Sequence, residues 1–125
     1  MFEIKKIVCT HALYRTTYAQ VENYSIKTDD ISKICEEYEK LNYDEELVVK
    51  DFGKDQNMDI IFFVGNNEKF IELLLNNEIY GIQKIDNIQN LLNFLTLIYE
   101  NPIIGNIDAC KILLTSKEKA GVLRF

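Results

Sequence analysis

Residues 58–67, Met-Asp-Ile-Ile-Phe-Phe-Val-Gly-Asn-Asn, restrict the fold more than any other stretch of the chain. A run of β-branched and aromatic residues from Ile60 to Val64, closed by Gly65 and two asparagines, predicts a buried strand that turns directly into a helix. Asn66 or Asn67 would cap that helix and Glu68 would lie in its first turn. Phe70, Ile71, Leu73, Leu74 and Leu75 would carry it to a stop at Asn76-Asn77. Upstream, residues 46–52 read as a strand and residues 53–57 as a turn, so 46–64 predicts a hairpin.

The flanking segments extend this frame. Residues 2–9 favour a strand. Residues 12–26 are dense in Tyr, Thr and Val and fit one long bent strand or two strands, with a helix over 12–24 as the alternative. Thr28-Asp29-Asp30 opens a helix, with Thr28 as its cap and the aspartates at the positive end of its dipole. Ile31, Ile34, Cys35, Tyr38 and Leu41 then form one apolar stripe at helical spacing. A short strand or extended link is expected over 79–85. A helix apolar around much of its circumference follows over 86–99 and ends before Pro102. Residues 109–114 and 122–125 read as strands, with a helix over 107–119 as the alternative. The expected fold is α+β in a single domain, 1–125. It has one mixed or antiparallel sheet of about five to seven short strands and about three helices on one face. A doubly wound fold fits less well, because the first ~26 residues lack a crossover helix.

The chain has 125 residues, 47% of them hydrophobic, enough to bury a real core without a metal or a disulfide. Cys9, Cys35 and Cys110 are odd in number, widely spaced and set among apolar neighbours. Packed, reduced thiols are expected, not a disulfide framework or a metal site. The apolar runs are far shorter than the ~20 residues that cross a bilayer. No signal peptide is read, so a cytoplasmic protein is expected. Arginine occurs only at Arg15 and Arg124, and the lysines are scattered. Nucleic acid and an anionic membrane are therefore poor partners.

Charge is the one uneven property. Residues 29–46 carry eight acids, Asp29, Asp30, Glu36, Glu37, Glu39, Asp44, Glu45 and Glu46, against Lys33 and Lys40. That difference equals the whole net charge of −6. With the apolar stripe turned inward, Asp29, Glu36, Glu37 and Lys40 are expected to face water. Such a face either keeps the protein soluble or docks a basic partner, raising association rates and contributing specificity.

No motif specific to one chemistry is present. The single histidine, His11, lies two residues from Cys9. On a strand the pair would share a face ~7 Å apart, which is packing geometry more than a catalytic pair. Glycine-rich phosphate loops are absent, and no catalytic residue, cofactor or metal is assigned. The favoured function is a small acidic protein-binding module of the cell interior. Its most concrete form is a bacterial immunity-type inhibitor that neutralises a basic toxin or nuclease domain by charge complementarity, through the eight carboxylates named above. The alternatives are a small enzyme or ligand-binding domain with a pocket near Val64–Asn67, and an oligomeric adaptor subunit using the apolar 87–99 helix.

Overall fold

The computed structural model describes residues 1–12, 15–53, 57–65 and 67–100. Eight elements follow in order: β1 (Phe2–Ala12), β2 (Arg15–Thr28), α1 (Ile31–Glu39), β3 (Glu45–Lys50), β4 (Met58–Gly65), β5 (Glu68–Leu75), β6 (Glu78–Lys84) and α2 (Ile88–Glu100). The strands form one antiparallel sheet in the order β2-β1-β3-β4-β5-β6. The α+β class and single sheet match the sequence reading. The described residues hold two helices, not three, and the strands expected over 109–114 and 122–125 lie outside them.

The missing helix is the one expected after Val64. That segment is β5, hydrogen-bonded to β4 along its length from Gly65↔Glu68 to Met58↔Leu75. Asparagine conformation explains the difference. Asn67 sits at φ 65, and Asn76 and Asn77 sit at φ 51 and 66. A left-handed pair between Leu75 and Glu78, which face each other, is the geometry of a two-residue hairpin loop. The asparagines therefore turn strand into strand. Phe70 and Glu72 point to one face of β5, and Ile71 and Leu73 to the other, so an apolar run that resembled a helix is a strand buried on both sides.

Alternation along each strand gives the sheet two unlike faces. Phe2, Ile4, Leu47, Val49, Ile60, Phe62, Ile71 and Leu73 point to the face that carries both helices and form the main core with Ile34, Tyr38, Leu95 and Ile98. Phe2, Phe52 and Tyr99 pack ring to ring with centroids 5.2 to 5.9 Å apart, which ties the end of α2 to β1 and the β3–β4 turn. Tyr38 meets Phe62 at 5.4 Å and does the same for α1. On the opposite face, Phe63 stacks on Phe70 at 5.5 Å beside Ile82. The wide apolar girth of α2 is explained by this packing. Leu91, Phe94, Leu95 and Ile98 are buried on the sheet, while Leu92 and Tyr99 lie against the same core from the flanks.

β2 and β3 run parallel with β1 between them, so α1 must cross over β1 to join them. β2 itself spans most of the 12–26 segment as a single strand. It shifts register against β1 between Lys5 and Ile7, and Asn23 stands at φ 63 near that shift. Among the described residues no helix is long and apolar enough to cross a membrane.

Candidate functional site

The acidic segment runs from the end of β2, through α1, into β3. Asp30, not Thr28, is the N-cap of α1. Its carboxylate accepts from the Ser32 backbone N–H at 3.0 Å and from the Ser32 hydroxyl at 2.7 Å. Thr28 stands one step back, its Oγ1 accepting from the Asp30 N–H at 3.0 Å. The two bonds from Ser32 hold the Asp30 carboxyl below the usual carboxylate range. Asp29 lies 3.1 Å from the N-terminal ammonium and accepts from the Tyr99 hydroxyl at 3.4 Å. Both aspartates are exposed, but each holds a chain end or a helix end in place.

Three further carboxylates are built into the fold. Glu37 was expected to face water and instead is only 6% exposed. It accepts from the Tyr24 hydroxyl and lies 3.4 Å from Lys40. Burial pushes its carboxyl up, and the Tyr24 bond together with Lys40 and Lys33 outweighs that, leaving the group below its ordinary value. The same contact, added to burial, raises the Tyr24 phenol. Glu45 lies 3.6 Å from Lys6, with both side chains largely covered, and its Oε1 accepts from the Asn42 N–H at 2.9 Å. Lys6 also lies 4.7 Å above the Tyr24 ring. Lys6, Tyr24, Glu37 and Glu45 thus knit β1, β2, α1 and β3 together under the crossover. Glu46 is 5% exposed and lies on the sheet face away from the helices, opposite Phe63 in register. The expectation that all eight carboxylates form one outward ridge is corrected on these points. A strand alternates faces, so Glu45 and Glu46 cannot share a surface.

What remains outward is smaller and sharper. Glu36, Glu39 and Asp44 are exposed. Glu36 lies 3.2 Å from Lys33 along the helix, an exposed pair of little energetic weight. Between Glu39 and Asp44 stands Tyr43, 61% exposed on the turn that leads into β3. The turn is fixed from within. Leu41 is buried, the Glu45 N–H donates to the Asn42 carbonyl at 3.1 Å, and the Cys9 N–H donates to the Asp44 carbonyl at 2.7 Å. Lys69 donates to the Tyr38 carbonyl at 3.4 Å and lies 4.8 Å above its ring, so it fastens the end of α1 to β5. The turn thus holds Tyr43 and Asp44 outward, just past the exposed Glu36 and Glu39 of α1.

Sequence reading missed Tyr43, Lys6 and Tyr24. Tyr43 lies off the apolar stripe of α1 in a polar turn, and that was the available signal. Lys6 and Tyr24 meet Glu45 and Glu37 only through strand pairing, which leaves no local trace.

The other candidate sites fare differently. Gly65 pairs with Glu68 at the end of the β4–β5 hairpin, so no helix starts there to offer N–H groups to a ligand. Cys9 is buried at the β1–β3 seam, and the side chain of His11 lies outside the described residues, as does Cys110. Burial, with Glu39 nearby, pushes the Cys35 thiol up, the reverse of an activated nucleophile. Among the described residues no group of three or more His, Cys, Asp or Glu side chains converges to hold a metal ion.

Fold and surface together define a small antiparallel α+β protein with an acidic, tyrosine-bearing corner. Comparison with protein-family models, with curated proteins and with solved structures finds no match to the chain.

Proposed function

We propose that this chain is a protein-binding module of the cell interior that captures a basic partner through the corner formed by Glu36, Glu39, Tyr43 and Asp44. Its most concrete form is an immunity-type inhibitor that covers the cationic cleft of a toxin or nuclease domain. One observation carries the reading: an exposed tyrosine beside the exposed Asp44, on a turn pinned by backbone hydrogen bonds that follows the exposed Glu36 and Glu39 of α1. Tyrosine brings large contact area at low entropic cost and is enriched among residues that dominate interfaces. The carboxylates around it would steer a basic surface into register and slow its escape by charge complementarity. The built-in carboxylates, Glu37, Glu45 and Glu46, serve this reading only by holding the corner in place. Asp29 and Asp30 add negative potential at the other end of α1.

The test is co-purification from the source cell at low and high salt, with two variants. Wild type is expected to retain a basic protein at ~50 mM salt and to lose most of it at ~500 mM, where charges are screened beyond a few ångströms. The triple reversal E36K/E39K/D44K should lose it at both, and Tyr43→Ala should weaken capture by about tenfold or more. Retention by the triple variant equal to wild type would exclude the corner as the docking surface.

A further inference from the structure

A second concave feature lies away from the acidic corner, between β6 and α2. It encloses about 350 Å³, which is the small end of the range for ligand pockets. Its floor is the buried side of Ile71, Leu91 and Phe94, part of the main core, so it is apolar and cannot easily collapse. Its walls are neutral carboxamides, Gln83 on β6 and Asn90 and Asn93 on α2. Asn90 and Asn93 stand three apart on a helix that is otherwise mostly apolar, and so share the face that borders the groove. The Gln89 side-chain amide donates to Asn93 Oδ1 at 3.1 Å, which leaves the Asn93 NH₂ group available to donate.

The cation at the mouth is already paired with two carboxylates. Lys84 lies 3.0 Å from Glu68 and 3.8 Å from Asp86. The first turn of α2 does not call for an anion either, because Asn87 Oδ1 accepts from the Asn90 N–H at 2.8 Å. An anion would have to leave water for a site whose lysine is already paired, whereas an uncharged molecule loses little. We propose that the groove between β6 and α2 is a binding site for a small uncharged molecule with a flat apolar ring and an amide-type hydrogen-bonding edge. The ring rests on Phe94, Leu91 and Ile71, and the edge exchanges hydrogen bonds with Gln83, Asn90 and Asn93. This site is independent of the acidic corner.

Three isosteric probes test the proposal: benzamide, benzoate and benzamidinium, titrated into the ¹⁵N-labelled full chain and followed by NMR. Benzamide is expected to shift the side-chain amides of Gln83, Asn90 and Asn93 saturably, with a dissociation constant of about 1–10 mM for so small a ligand. Benzoate should bind about tenfold more weakly or worse, and benzamidinium no more tightly than benzamide. Asn93→Leu should weaken benzamide severalfold, and Asn90→Trp should abolish the shifts by filling the mouth. Both positions are exposed, so the remaining spectrum should be unchanged. Benzoate binding equal to that of benzamide, tighter binding of benzamidinium, shifts that survive in Asn90→Trp, or no saturable shift would overturn it. So would groove resonances that move with protein concentration alone, which would make this face a contact between copies of the chain.

Discussion

Glu37 is the residue in which folding and charge are most tightly joined. Its carboxyl is buried on α1, accepts from the Tyr24 hydroxyl on β2 and lies near Lys40. Its folded pKa is lowered from an ordinary value of 4.5, so the ionised form is favoured by folding. The stabilisation is therefore complete above about pH 4.5 and is lost as pH falls through the folded value. Glu37→Gln is expected to cost about 1–3 kcal/mol at pH 7. It should also flatten the loss of stability below pH 4.5 in urea titrations. Tyr24→Phe should cost about 1 kcal/mol, and the double variant should cost less than the two single costs combined, since both remove one contact. A helical wheel could not have separated Glu37 from Glu39. Each lies ~100° from the centre of the apolar stripe, one on either side. What buries Glu37 is β2 arriving on its flank, and that depends on the tertiary position of β2.

At the scale of elements, the asparagine turns decide between two readings of one apolar run. Asn77 stands at φ 66, where glycine is unstrained and a β-branched residue is not. Asn77→Gly should be neutral or stabilising by up to about 1 kcal/mol, and Asn77→Val should cost about 1–2 kcal/mol, by urea denaturation. Gly53→Ala should cost a similar amount. Gly53 sits at φ 83, and an added Cβ would come within 3.2 Å of Met58 Cε and 3.4 Å of the Ile98 carbonyl oxygen. The same residues show what the chain discloses before folding. The stripe of Ile31, Ile34, Cys35, Tyr38 and Leu41 announced α1, and the β-branched and aromatic run from Ile60 to Val64 with the turn residues at 53–57 announced the β3–β4 hairpin. β5 was not legible as a strand. Glu68, Lys69, Glu72 and three leucines have good helix propensity, and a strand buried on both faces shows no alternation. Two Asn-Asn pairs ten residues apart were the better guide, since each could close a hairpin. The groove beside α2 left no sequence signal, because β6 and α2 meet only after the sheet has formed.

For the molecule as a whole, one acidic segment divides into two populations. Glu37, Glu45 and Glu46 are covered, and Glu37 and Glu45 lie against Tyr24, Lys40 and Lys6 in the network beneath the α1 crossover. Glu36, Glu39 and Asp44 stand outside, as does Tyr43, and carry the proposed recognition of a basic partner. Composition showed that residues 29–46 hold the net charge, but only the sheet order assigns each carboxylate to the interior or to solvent. The most direct test compares equilibrium urea unfolding at pH 7 of the outward triple variant E36Q/E39Q/D44N with that of E37Q. A change within about 0.5 kcal/mol is expected for the triple variant and a loss of at least about 1 kcal/mol for E37Q. A triple variant that loses more than E37Q would contradict the division.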